Sequence, residues 1–545
     1  MKLRGRGSFT FGETLALMIA TGTGVAAVAH AVTVPNLFVA GTTASADEVN
    51  ANFAALVDAV TSLEARVDAL EAVGGGALAP FVSVDENEIN GMAGPHVLIT
   101  GANLHVRSGS GATDDDDALR GLGNLIVGYN EDSGAPERTG SHNLVVGPNH
   151  AYLSYGGMLG GTDNTVSAPS ASVTGGNGNT ASGDAASVSG GINNTASGPY
   201  SSVSGGGQNV ASGDSSSITG GGGEDPDEGN VASGFRSSIT GGEVNRAYGQ
   251  WSTITGGREN TTGEVDALDV GAWSVVAGGR NNLSTGFYAT VTGGGSDVLD
   301  DGNVASGAYA SVSGGKINEA SGEGASVGGG SRNTASGQFA SVSAGRSSIA
   351  GGTNSGVSGG FDSQATGTYA SVSAGESNRA VGQASSVVGG RSNRAEARNS
   401  TISGGQSNTT GIAGESLIGR YASVSGGQGN TATGSHASVS GGENNLASGP
   451  SASISGGGSG DPAFGNVASG FYSSVTGGRR AVASGDNSHV SAGDQNIASG
   501  FLSSVSGGQE NEASGSSAAV CGGERNVSSG DRSSVTGGDG NEASA

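Results

Sequence analysis

The sequence predicts an all-β protein: a parallel β-roll or β-helix solenoid of 15-residue coils, preceded by a short coiled-coil helix. Three observations point there. Gly supplies 107 of 545 residues and aromatics only 4%, too few large apolar side chains for an ordinary packed core. Branched aliphatic residues return every fifteen positions at Val173, Val188, Val203 and Ile218, then from Val312 to Ile402 and from Val475 to Val535. Most of them stand in a Ser-Val-Ser or Thr-Val-Thr frame, the alternation of a strand with one buried face. High Gly and low hydrophobicity alone also describe disordered chains; the periodicity decides for a fold.

Charge narrows the function classes. The formal net charge is -25, and Lys occurs only at Lys2 and Lys316. A nucleic-acid binder needs a basic stripe, and there is none. Acidity of this degree favours solubility and an attraction for divalent cations. Cys521 is the single cysteine, so neither an intramolecular disulfide framework nor a thiolate metal cluster can form. It replaces a Ser or Thr of the other repeats.

The N-terminus reads as an export leader over residues 1–31. Lys2, Arg4 and Arg6 precede an apolar run from Thr14 to Ala29, and Ala29-His30-Ala31 offers small residues for cleavage after Ala31. An exported protein on the outer surface or outside the cell is expected. No other stretch is apolar enough to span a membrane as a helix, so no integral membrane segment is expected in the mature chain.

Residues 32–46 read as an extended segment and 47–73 as a helix. Ser45 and Glu48 form a capping box, each side chain serving a free N–H at the helix start. Val49, Phe53, Leu56, Val60, Leu63, Val67 and Leu70 alternate four and three apart, a heptad seam, with Arg66 and Glu71 at its flanks. A lone helix would leave that seam wet, so a homo-oligomer is expected. Val at one seam position with Leu at the other leans toward two strands. Gly74-Gly-Gly76 ends the helix.

Residues 74–170 form an irregular β-rich entry segment. The runs Val97–Val106, Asn124–Gly128 and Asn143–Gly147 read as an uneven start to the stack, and Asp114–Asp117 as a solvated loop. His96, His105, His142 and His150 fall here, but without the spacing of a known metal site.

Residues 171–545 are the repeat solenoid. Each unit has two short β-prone pieces, Ser-Val-Ser and Thr-Ala-Ser, followed by Gly-Gly and Gly. Two strands and two Gly turns make one flattened coil, which stacks in parallel on its copies. Val188, Val203, Val327, Val342 and Val505 are expected in one inner column. Asn179, Asn194, Asn209, Asn333 and Asn511 stand six residues after such anchors. Asn tolerates a left-handed backbone and can form a ladder along the stack, so a structural role is expected for them.

Five steps are longer by six or seven residues, and three of these share an insertion on the Gly-Gly turn. In the first copy Glu224, Asp225, Asp227 and Glu228 could bind calcium. The third copy keeps only Asp461, so a solvated loop is preferred and no cofactor is expected. No phosphate-binding loop and no Ser/His/Asp constellation stands out, and no catalytic residue is assigned.

The pieces Val188-Ser-Gly-Gly191, Thr195-Ala-Ser-Gly198 and Ser202-Val203 resemble the head repeats of trimeric autotransporter adhesins. The resemblance covers about two thirds of the chain. It implies a left-handed parallel β-roll, three chains to a trimer, exposed on bacteria and used for attachment. The family repeat is commonly one residue shorter, and its main stalk follows the head, whereas the helix here precedes the repeats. No C-terminal membrane anchor is visible, so surface anchoring is not carried over. The chain stops inside a repeat, which implies either that another molecule covers the open stack edge or that the sequence is incomplete.

The function expected is an extracellular or cell-surface structural or adhesive fibre acting by multivalent contact with a surface or glycan. The alternatives are a carbohydrate-active enzyme on a β-helix, disfavoured by coils with almost no charge, and an ice- or mineral-surface-binding protein.

Overall fold

A computed structural model describes residues 33–74, 78, 80–131, 137–267, 269–298 and 301–544. The leader expected over 1–31 lies outside them. The chain divides into two units, one up to His105 and one from Val106.

In the first unit, helix α1 (Ala46–Gly74) begins at the capping box: Ser45 N–H donates to Glu48 Oε2 at 3.0 Å and Glu48 N–H to Ser45 Oγ at 3.2 Å. The extended segment before it is tied to the second turn by Asn36, whose N–H donates to Asn52 Oδ1 at 2.8 Å while Asn52 Nδ2 donates back to Asn36 O at 2.7 Å. The apolar seam lies open: Phe53, Leu56, Val60, Leu63 and Val67 are all exposed, by 46% or more. Among the described residues no helix is long and apolar enough to cross a membrane.

Strands β1 (Val82–Asp85) and β2 (His96–Ile99) pair antiparallel, Val82 opposite Ile99. The run beginning at Val97 is therefore a hairpin and not the start of the stack. The reason is local. Ile89 and Met92 exchange backbone hydrogen bonds at 3.0 Å around Asn90 and Gly91, whose φ values are 52° and 84°. Asn-Gly with both residues left-handed is the turn that reverses a chain tightly, whereas a coil must bring the chain back in the same direction.

The second unit is the solenoid. One parallel sheet runs from β3 (Leu125–Val127) through β4 (Leu144–Val146) to Ser534–Val535 and holds 26 strands among the described residues. The other begins at β5 (Ala151–Tyr152), ends at Glu542–Ala543 and holds 25. The step from β4 to β6 (Met158–Gly160) and the next, to Ser172, are fourteen residues; from there fifteen is the rule, as in Ser172, Ser187 and Ser202.

Each regular coil buries four side chains in column, the fourth mostly Asn, as at Asn194. The first strand gives Val or Ile, as at Val188 and Ile218; the second gives mostly Ala, as at Ala181 and Ala196. The third column, two residues before each anchor, is Ala or Ser, as at Ala186 and Ser201. Where the Ala column carries a hydroxyl, a neighbouring Ser often pairs with it: Thr262 with Ser252 and Thr410 with Ser400, both at 2.7 Å. So thin a core cannot hold a coil alone, and the backbone supplies the rest. Ser187, Ser189, Ile192 and Thr195 donate forward to the next coil, to Ser201, Val203, Gly206 and Asn209. Asn193 (φ 53°) and Tyr200 (φ 56°) are left-handed, and there the N–H turns about and donates backward, to Asn177 and Asp184. Each coil is thus stitched to both neighbours.

The Gly-Gly turn contains one obligatory glycine. Gly191 has φ 89°, and a Cβ there would stand 2.2 Å from Gly206 O of the next coil. A Cβ on Gly190 would meet nothing within 4 Å. The sequence respects the difference: Ala stands at the permissive place at Ala344, Ala374 and Ala492, each followed by Gly. The five long coils expand at two corners. Three enlarge the Gly-Gly turn, as between Gly222 and Gly229, and two enlarge the other turn, between Gly263 and Gly271 and between Gly411 and Gly419.

Candidate functional site

The sequence singles out the Val and Asn columns. Val188, Val203, Val327, Val342 and Val505 are buried to within 1% and face one another coil by coil. Asn179, Asn194, Asn209, Asn333 and Asn511 are fully buried. Asn194 shows what such a residue does. Its Nδ2 donates to Gly190 O at 3.0 Å in its own turn and to Gly206 O at 2.9 Å in the next; its Oδ1 accepts the N–H of Asn209 at 3.0 Å. The left-handed geometry expected of these residues belongs instead to the residue before each, as at Asn193, Gln208, Arg332 and Glu510. Asn is used here for an amide that serves two coils at once, and a left-handed backbone would turn its N–H away from the preceding Oδ1.

His150 heads this column. Its Nδ1 accepts the N–H of Asn164 at 3.3 Å, so its Nε2 carries the hydrogen and donates to Val146 O at 3.1 Å. A neutral imidazole here copies the acceptor and donor of an Asn amide. The column lapses at Ser348, Ser363 and Ala481.

These columns face inward; contact with anything outside falls to the surface rows. Beside the Gly-Gly turn a row of ion pairs links successive coils, including Arg280–Glu259 at 3.1 Å and Arg479–Asp494 at 2.7 Å. Hydrogen bonding from Arg479 holds the Asp494 carboxyl below the usual carboxylate range. Glu224, Asp225, Asp227 and Glu228 lie on the first enlarged turn. Among the described residues no three His, Cys, Asp or Glu side chains converge as metal ligands, and these four are no exception. In the second unit His142 is engaged by backbone, its Nε2 accepting from Ser108 N–H at 3.0 Å. Cys521 is exposed.

Asp115 departs from the solvated loop expected of Asp114–Asp117. It is only 1% exposed. Ser108 Oγ donates to Oδ1, and the Arg120 N–H donates to Oδ2 at 3.0 Å. Asp115, Asp116 and Asp117 are all left-handed (φ 57°, 54° and 62°), and the curl turns the first carboxylate inward. The bond from Ser108, followed by that from Ser141, holds it well below the ordinary carboxylate range.

One feature escaped the sequence reading. Three residues before many anchors, at a left-handed corner, stand Tyr200, Trp251, Trp273, Tyr288, Tyr309, Phe339, Tyr369, Tyr421 and Tyr472. From Trp251 to Tyr309 they are consecutive and stack: Trp251 on Trp273 with centroids 4.5 Å apart and planes at 3°, Trp273 on Tyr288 at 5.2 Å, Tyr288 on Tyr309 at 5.5 Å. Phe287 stands at 79° to 87° to three of these rings, and Phe235 at 82° to Trp251. The signal was available: the runs Gln-Trp-Ser-Thr-Ile, Phe-Tyr-Ala-Thr-Val and Ala-Tyr-Ala-Ser-Val repeat an aromatic at one fixed offset.

No protein-family model matches the chain, and no curated protein does. The surface geometry is therefore the basis for any functional reading. It offers three parallel rows: hydroxyls outward from the first strand (Ser172, Ser187, Ser202), charge pairs, and the aromatic corner.

Proposed function

We propose that this chain is an exported structural or adhesive fibre that acts at or outside the cell surface by multivalent contact and assembles as a homo-oligomer. The observation that carries this reading is the repetition of one outward pattern. Ser172, Ser187, Ser202 and Ser217 pair in strict register, so the same hydroxyl recurs at about 4.8 Å along the sheet. Weak sites multiplied along one scaffold gain avidity with no single strong pocket. The open heptad seam of α1 supports self-association, since its face is complementary to a copy of itself. The likeness to trimeric adhesin heads favours three chains. Light scattering with circular dichroism on residues 32–545 tests the assembly, and beads coated with the protein test adhesion. A β-rich trimer that retains beads on surfaces is expected; a monomer that retains none would end the proposal.

The same hydroxyl rows carry a second reading, binding to ice or a mineral face. Thermal hysteresis in a solution of the pure protein separates it from the first.

A further inference from the structure

We propose that the aromatic corner from Phe235 to Tyr309 is a docking strip for a neutral polysaccharide chain. This deepens the reading of the protein as a surface-contact fibre, on which it rests, by naming the ligand class and the place.

The strip is built into the backbone. The left-handed N–H of Trp251 donates to Phe235 O, Trp273 to Gln250 O, Tyr288 to Ala272 O and Tyr309 to Phe287 O, at 2.7–3.0 Å. Each ring is thereby set in register above the one before. The stacked rings cover one another's faces and turn their edges outward. Even so, Trp273, Phe287, Tyr288 and Tyr309 remain 36%, 39%, 43% and 58% exposed, which is unusual for large apolar groups already in contact. Elsewhere the same corner is interrupted by Ser215, Gly324, Asn354 and Ala384, and the described residues hold no other ladder of this length.

Chemistry and size together select the ligand. At this corner the interleaved residues are Gln250, Ala272 and Ala308; the enlarged turn between Gly263 and Gly271 adds the carboxylates Glu264, Asp266 and Asp269, and Arg236 and Glu323 bound the strip. Two residues after the rings, Thr253, Thr290 and Ser311 add half-buried hydroxyls beside them. Apolar rings flanked by hydroxyls and a phenol match a molecule that alternates C–H faces with hydroxyls, which is a sugar chain. The net charge of -25 disfavours an anionic one. A strip one ring wide over five coils is about 20 Å long and offers on the order of 200 Å², far below the roughly 800 Å² per partner of a stable protein interface. A second copy or a folded partner is too large for it; a linear chain lying along the stack is not.

The site reports on itself, because Trp251 and Trp273 are the only two tryptophans in the chain. The full mature chain is titrated with a soluble β-glucan, a galactomannan and anionic polygalacturonate, and also with an extended-peptide pool, reading Trp emission and retardation in polysaccharide gels. A neutral glycan is expected to shift the emission and retard the protein. Tyr288→Ser and Tyr309→Ser should weaken that binding at least tenfold, with circular dichroism and light scattering unchanged. Ser already occupies this corner at Ser215 and Ser451, so the coil tolerates it. Tyr369→Ser, outside the strip, should bind as the parent does. No response to any neutral glycan, equal binding by polygalacturonate, preference for peptide, or a loss of oligomer in the Ser variants would each overturn the assignment. Beads that adhere while no glycan binds would leave the fibre reading intact and sink this one alone.

Discussion

The backbone N–H of Asn194 lies 2.9 Å from Oδ1 of Asn179, one coil earlier, and the same bond joins Asn209 to Asn194 and Asn526 to Asn511. An inner amide thus replaces the large apolar core that this composition cannot supply. Because each coil touches only its neighbours, loss of one amide is felt locally.

Replacing Asn333 by Ala should therefore expose its two neighbours to exchange. It strips the acceptor from Ser348 N–H and the donor from Gly329 O and Gly345 O. The cost is about 1–3 kcal/mol for each buried group left unpaired. Hydrogen exchange by mass spectrometry should show faster exchange in peptides around 315–350 and little change beyond residue 400. Filling the lapse with Ser348→Asn should have the opposite sign. At the head of the column, His150→Asn should keep protection where His150→Ala loses it.

The third inner column makes a second prediction. Ser216, Ser237 and Ser488 bury hydroxyls that have no hydrogen-bond partner, whereas Ala186 and Ala310 fill the same place in other coils. Changing Ser216 to Ala should raise local stability by on the order of 1 kcal/mol. A chemical-denaturation midpoint that falls would show that the hydroxyl is used.

The Gly-Gly turn predicts an asymmetry between adjacent residues. Gly190→Ala should leave the melting curve in place, since its Cβ points into open space. Gly191→Ala combines a left-handed Ala, about 1 kcal/mol or more by itself, with a Cβ 2.2 Å from Gly206 O. It should lower the thermal midpoint clearly or prevent the coil from closing. Equal behaviour of the two variants would refute the turn geometry.

Asp115 predicts a pH dependence. Its folded-state pKa is depressed, first by Ser108, so its contribution is full above the unfolded value of about 3.9 and is lost as pH falls through the folded value. Protection of Arg120 N–H, followed by hydrogen exchange, should persist at pH 5 and fade as the solution is acidified below about 4. Asp115→Asn should remove that dependence.

Much of the stack was legible because its period is long and its residues near-identical. Val188 and Asn194 stood at fixed offsets, and alternation with hydroxyls gave the buried face. The hairpin was less visible. Val97-Leu-Ile looks like a coil strand, and what separates them is the Asn90-Gly91 turn several residues earlier. Left-handed geometry was assigned to Asn194, whereas Asn193 carries it; the type of residue hinted at the conformation but not at which of two neighbours adopts it. The aromatic corner went unread because its members change identity from Trp to Tyr to Phe, so a search for repeated letters passes over a repeated ring. Asp115 could not have been told from Asp114 without the curl that buries one and not the other.

Hydrogen bonds between coils run along the stack, so a pull on its two ends loads every coil-to-coil junction in series. Such a cable parts at its weakest junction, and the amide column lapses at Ser348, Ser363 and Ala481. Each coil torn away would pay out about 50 Å of slack as fifteen residues straighten. Under tension the stack would behave as a shock absorber that gives way first at these lapses.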